Sequence, residues 1–199
     1  MEGYKLRNPC SYHVLTLFLT LLLFISQMQP ISASQSYTDF IKTSCNSTTY
    51  PSLCYKSLSS YASSVQTNPR KLCNAALTVT IEAMRNTSSI VSKLAGQNGI
   101  TKTEADSIKD CVENIEDSID ELKQSLKAMG NLGSAADKEF QMANIKTWVS
   151  AAITDENTCT DGFAGRKVSA TVKDNIRDSI LGVAKLTSNA LSLINHLTY

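Results

Sequence analysis

From Asn68 to Leu197 apolar residues recur at spacings of three and four, polar residues fill the gaps, and no stretch shows the alternation of period two that a half-buried strand requires. The first helix of this region opens at Asn68-Pro69, an N-cap followed by a proline at the first helical position. It carries Leu72, Ala76, Val79, Ala83, Ile90 and Leu94 on one face and ends at Gly96 and Gly99. The second opens with the capping box Thr101-Lys102-Thr103-Glu104 and buries Ala105, Ile108, Val112, Ile115, Ile119, Leu122, Leu126 and Met129 before Gly130. A third starts after Ser134 with Ala136, Phe140, Ala143, Thr147 and Ala151 inward. A fourth runs from about Val168 and buries Val172, Ile176, Ile180, Val183, Ala190, Leu193 and Leu197. Short connections between helices of similar length predict an all-α fold, an antiparallel up-down-up-down four-helix bundle over residues 67–199. Ahead of it, residues 35–66 read as a small helical hairpin around Tyr50-Pro51.

The first 34 residues follow a different pattern. Lys5 and Arg7 precede an apolar run from Val14 to Ile25, broken only by Thr16 and Thr20, and the segment closes on Ser32-Ala33-Ser34. A basic start, a core too short to span a bilayer as a mature helix and small residues at the end make residues 1–34 a secretory signal peptide, with cleavage before Gln35. Residues 35–199 then form one extracellular domain, a monomer with no membrane segment of its own.

The whole chain has 19 basic and 18 acidic residues. Loss of Glu2, Lys5 and Arg7 with the signal leaves equal numbers of each, and a neutral protein lacks the net basic surface that nucleic acid binding needs. The charge is unevenly distributed all the same. Glu104 to Glu121 contains eight acidic residues and one basic residue, Lys109, whereas Gln35 to Thr103 contains two acidic and seven basic residues. The second helix of the bundle therefore presents an anionic outer face.

Five cysteines remain after the signal: Cys45, Cys54, Cys73, Cys111 and Cys159. In an oxidising compartment an odd set of this kind implies disulfides and one unpaired thiol, and the spacings fit no zinc motif. Cys45 and Cys54 flank the turn-rich Asn46-Ser47-Thr48-Thr49-Tyr50-Pro51, so their pairing is the cheapest local closure, but the connectivity as a whole stays open at this level. The only histidine beyond the signal is His196, near the C-terminus, and no nucleophile elbow, dinucleotide fingerprint, P-loop or zinc-protease motif occurs. No cofactor or metal is expected, and the chain reads as a binding module rather than an enzyme. Asn46-Ser47-Thr48 and Asn86-Thr87-Ser88 are sequons, which makes Asn46 and Asn86 candidate N-glycosylation sites.

The run from Ile145 to Phe163, with the chain's only tryptophan at Trp148, Thr158-Cys159 and then Asp161-Gly162-Phe163, resembles the fourth-cysteine region of the plant invertase and pectin methylesterase inhibitor family. The Cys45 to Cys54 hairpin and Asp110-Cys111 extend the resemblance over residues 35–199. It implies pairing of the first cysteine with the second and the third with the fourth, here Cys45 with Cys54 and Cys111 with Cys159, and leaves Cys73 as a free, half-buried thiol. It also implies a cell-wall or vacuolar inhibitor that covers the active site of either pectin methylesterase or an acid invertase in a reversible one-to-one complex, with the apoplast or cell wall the expected location here. Some pectin methylesterases carry such a domain as a pro-region. This chain ends at Tyr199 without a catalytic domain and is expected to be a stand-alone inhibitor.

The two target classes are separated by short segments. Invertase inhibitors of the family carry Pro-Lys-Phe before the third cysteine, whereas this chain has Gly99-Ile100-Thr101-Lys102-Thr103-Glu104 there. In the esterase inhibitors, by resemblance, acidic residues after the third cysteine and a threonine beside the fourth touch the enzyme. The matching positions are Glu113, Asp117, Asp120 and Thr158, and the three carboxylates, spaced i, i+4 and i+7, share one helical stripe. Pectin methylesterase is the expected partner. An acid invertase, or a wall component bound without inhibition, is the alternative.

Overall fold

The computed structural model describes residues 9–133 and 135–198. Helix α1, Pro9–Cys45, leads through a turn into α2, Pro51–Leu58, followed by a 3-10 turn at Ser59–Tyr61 and a single helical turn α3, Ala62–Val65. Four long helices follow: α4, Pro69–Leu94; α5, Lys102–Gly130; α6, Ala135–Asp161; and α7, Ala170–Asn195. Each packs against two others, α4 against α5 and α7 and α6 against the same two, so the bundle is square with α5 and α7 on one diagonal.

Local sequence explains where the helices start. Asn68 accepts a hydrogen bond from the Lys71 N–H ahead of Pro69, Thr101 and Glu104 form a reciprocal capping box, and Ser169 accepts from the Val172 N–H. At the other end of α5, Arg70 of α4 donates to the carbonyls of Met129 (2.7 Å) and Gly130 (2.6 Å), satisfying acceptors that have no partner within the helix. The N-terminal hairpin is fixed to the bundle by Asn189 of α7, whose Oδ1 accepts from the Tyr50 N–H at 2.8 Å while its amide donates to the Tyr50 carbonyl at 3.0 Å. Asn189 is buried, so this two-way bond works in a setting where an unpaired amide would be costly.

The core follows the predicted stripes on α5 and α7 and departs from them on two helices. On α4, Leu72, Ala76 and Leu94 are buried, but Ile90 is 52% exposed and the core side runs through Leu77, Ile81, Met84 and Val91. On α6 the expected inward set is wrong: Phe140 is 71% exposed, Ala143 and Thr147 face solvent and Ala151 is half-buried. The burial of Ala136 lies outside the described residues. The buried face of α6 is Met142, Ile145, Val149, Ala152, Glu156 and Cys159. Alanine and threonine discriminate weakly between inside and outside, and a glutamate in the true stripe concealed it.

The register between α5 and α6 has one simple rule. Cys111 is bonded to Cys159 with Cα atoms 4.3 Å apart, the Ser118 hydroxyl donates to the Ala152 carbonyl at 3.1 Å, and the Ser125 hydroxyl donates to the Ile145 carbonyl at 3.4 Å. Each step of seven along α5 is met by a step of seven back along α6. The small α5 side chains at the three crossings, Cys111, Ser118 and Ser125, let the two backbones approach closely. The second disulfide joins Cys45 at the end of α1 to Cys54 in α2, and Cys73, only 1% exposed, is a buried free thiol and not a half-buried one.

The N-terminal half of α1 stands apart from this core. Leu17, Phe18, Leu19 and Leu21 are all more than half exposed, and among the described residues no helix is long and apolar enough to cross a membrane. The basic Lys5 and Arg7 lie outside the described residues.

Candidate functional site

Glu113, Asp117 and Asp120 all lie on the exposed face of α5, and Thr158 is exposed on α6 one residue before the bridged Cys159. Their environments differ. Glu113 has Lys109 one turn earlier at 3.7 Å, and Asp120 has Lys123 one turn later at 2.8 Å. Asp117 has neither ion pair nor hydrogen bond among the described residues. The Thr158 hydroxyl donates to the Thr154 carbonyl at 2.9 Å, so it is turned along its own helix and bonds to none of the three carboxylates.

Asp117 belongs instead to an acidic group that the sequence did not reveal. Across the α5–α6 seam it faces Asp155, with Glu121 one turn further along α5. Burial, then the charges of Asp155 and Asp117, push the Glu121 carboxyl up, and burial, then Asp117, pushes Asp155 up. One Glu121 carboxylate oxygen is buried without a hydrogen-bond partner. The seam thus gathers three carboxyl groups, none of which makes an ion pair among the described residues. Among the described residues no group of three or more histidine, cysteine or acidic side chains is arranged to hold a metal ion.

Behind the seam, Glu156 is fully buried and accepts from the Thr187 hydroxyl of α7, while its second oxygen has no partner. Burial raises its carboxyl to about 7, Thr187 works against that rise, and the charge of Asp155 adds to it. The loop after α6 is fastened to the same face. Arg166 donates to Asp110 at 2.8 Å and to the Ser107 hydroxyl at 3.0 Å, and Phe163 of the same loop is buried. The bridge, the serine crossings and this arginine hold α5 and α6 as a rigid support for the exposed carboxylates.

The chain matches known proteins over most of its length. The plant invertase/pectin methylesterase inhibitor family matches residues 39–193. The chain belongs to that family. As a member of an inhibitor family it is not an enzyme. Among its relatives, pectinesterase inhibitor 11 of Arabidopsis thaliana is 42% identical over 92% of this chain and 95% of its own length. The 21 kDa protein of Daucus carota is 41% identical over 90% of this chain and 92% of its own. The fold matches the crystal structure of a mutant form of a pectin methylesterase inhibitor from Arabidopsis, with a TM-score of 0.60 and 19% identity over 77% of this chain and 94% of that one.

Within this inhibitor-family fold the candidate glycosylation sites also have places. Asn46 is exposed in the turn after α1, and Asn86 is exposed on α4. The hydroxyls of both sequons point inward: Thr48 donates to the Cys45 carbonyl and Ser88 to Glu116 of α5.

Proposed function

We propose that the protein is a secreted inhibitor of pectin methylesterase, released by removal of residues 1–34, that blocks the enzyme's active-site cleft in a reversible, non-covalent one-to-one complex in the cell wall. The relationship to pectinesterase inhibitor 11, at 42% identity along almost the entire chain, carries this reading. The contact surface is the α5–α6 face. Asp117 is its centre, because it is exposed and carries no internal cation, so its charge is fully available to a basic group of the enzyme. Glu113 and Asp120 flank it and would exchange their lysine partners for contacts with the enzyme, and Thr158 sits beside the bridge at the edge. Leu17, Phe18, Leu19 and Leu21 are each more than half exposed, as suits a segment that serves export and not folding. Adding the purified secreted protein to a plant pectin methylesterase and to an acid invertase, and following both activities, tests the proposal. Loss of esterase activity alone is expected, and loss of invertase activity alone would replace the target.

A further inference from the structure

A groove of about 550 Å³ lies between the N-terminal hairpin and α7, bordered by Tyr50, Pro51, Ser52 and Leu53 on one side and by Gly182 and Lys185 on the other. Three observations give it a chemical preference. First, the Lys185 ammonium lies 5.7 Å from the centroid of the Tyr50 ring and has no carboxylate within ion-pair distance among the described residues. Each ion pair among the described residues includes an α5 residue and none includes one of α7. Second, Ser52 and Leu53 in the first turn of α2 border the groove, and this helix start has no side-chain cap, so it carries the positive end of the helix without a side-chain acceptor. Third, no acidic side chain is among the described residues that border the groove, so Lys185 is the one charged group among them. The two-way bond between Tyr50 and Asn189 fixes the groove's rim.

We infer that this groove binds a uronate unit of an acidic polysaccharide, the de-esterified pectin chain. Lys185 and the open turn of α2 would receive the carboxylate. The faces of Tyr50 and Pro51 suit the C–H surface of a sugar ring, and Ser52 offers a hydroxyl for the ring hydroxyls. A neutral methyl ester at the same position would leave Lys185 without its counter-charge, so the site distinguishes the product of a pectin esterase from its substrate. The identity of the polysaccharide rests on the target proposed above. The groove borders α7, which lies diagonal to α5, the helix that carries Glu113, Asp117 and Asp120. An inhibitor built this way would be retained where esterase has already acted.

Calorimetric titration of the protein purified from a secreting host tests the inference, with three probes: a short de-esterified oligogalacturonate, the same oligomer fully methyl-esterified, and a neutral malto-oligosaccharide. The de-esterified oligomer should bind, and esterification should weaken binding by about tenfold or more. Lys185→Gln should lose a similar factor. Gly182→Leu is a second route: a Cβ at this position meets nothing within 4 Å, and leucine favours helix over glycine, so the variant should keep its Tm while its side chain fills the groove and abolishes binding. Equal affinity for esterified and de-esterified oligomers, wild-type affinity in either variant, or no binding at millimolar oligomer would overturn the inference. Esterase inhibition by the same samples separates the two proposals. A protein that passes the titration but does not inhibit refutes the target alone, and one that inhibits but binds both oligomers alike refutes the groove alone.

Discussion

The carboxylate of Glu104 accepts a hydrogen bond from the backbone N–H of Ser169 at 2.8 Å, joining the first turn of α5 to the N-cap of α7 across the bundle. Its other oxygen accepts from both the N–H and the hydroxyl of Thr101, so one side chain serves two helix starts. These donors hold the Glu104 carboxyl down to about 2. A folded-state value below the unfolded one means that the contribution is complete above the unfolded value near 4.5 and is lost as pH falls toward 2. Glu104→Gln should therefore lower Tm at neutral pH and flatten the loss of stability below pH 4.5. Thermal unfolding as a function of pH reads both effects, and an unchanged acid limb would contradict the assignment.

Glu156 has the opposite sign. Its carboxyl is raised from 4.5 to about 7, so the folded protein holds a proton that the unfolded chain releases. Stability is then fullest below 4.5 and falls as pH rises to 7. The Glu156 contribution to that decline is on the order of 3 kcal/mol. Glu121 and Asp155, both raised, act in the same direction. Taken with Glu104, whose contribution is lost below 4.5, these groups make stability fall on both sides of the weakly acidic range. Glu156→Gln keeps a partner for Thr187 without the charge, and it should remove most of the decline, leaving the variant more stable than wild type at pH 8. Parallel wild-type and variant curves from pH 5 to 8 would contradict this.

Much of the architecture is written in the residues that start and stop helices. Asn68-Pro69 and Thr101 to Glu104 are strong local signals, and the stripe from Val172 to Leu197 is apolar at its inward positions apart from Thr187 and Asn189, so α7 is legible from spacing. The α6 stripe is not, because the inside of that helix includes Ala152, Glu156 and Cys159 while Phe140 lies outside. The seven-residue steps from Cys159 back to Ala152 and Ile145 were the available signal, and they become visible only when Cys111 is known to face Cys159. The stripe of Glu113, Asp117 and Asp120 was readable from helical spacing. The clustering of Asp117 with Glu121 and Asp155 was not, since it depends on how two helices meet. The Glu104 to Ser169 and Arg166 to Asp110 contacts join residues far apart in sequence and have no local signature.

The disulfides and the free thiol should separate cleanly in chemistry. Burial pushes the Cys73 thiol up to about 12, so a maleimide or iodoacetamide reagent should leave it unmodified in the native protein and label it in denaturant. Replacing Cys111 and Cys159 together by serine opens a link between residues 48 apart and should cost about 3 to 4 kcal/mol in denaturant unfolding. Peptide mapping that finds Cys73 in a bridge, or a double variant as stable as wild type, would contradict this framework.

The central claim is that the α5–α6 face, centred on Asp117, grips the esterase. The decisive measurement is a pair of inhibition constants against one pectin methylesterase, for wild type and for the Asp117→Ala/Asp120→Ala variant, at matched pH and salt. Both side chains are exposed and Asp120 is engaged only by Lys123, an exposed pair worth under about 1 kcal/mol, so Tm should barely change. Binding should weaken by about 1 to 3 kcal/mol, most of it from the unpaired Asp117, and added salt should weaken the wild-type complex more than the variant's. Equal constants with equal salt dependence would show that the acidic face is solvated charge and that the enzyme is held elsewhere on the bundle.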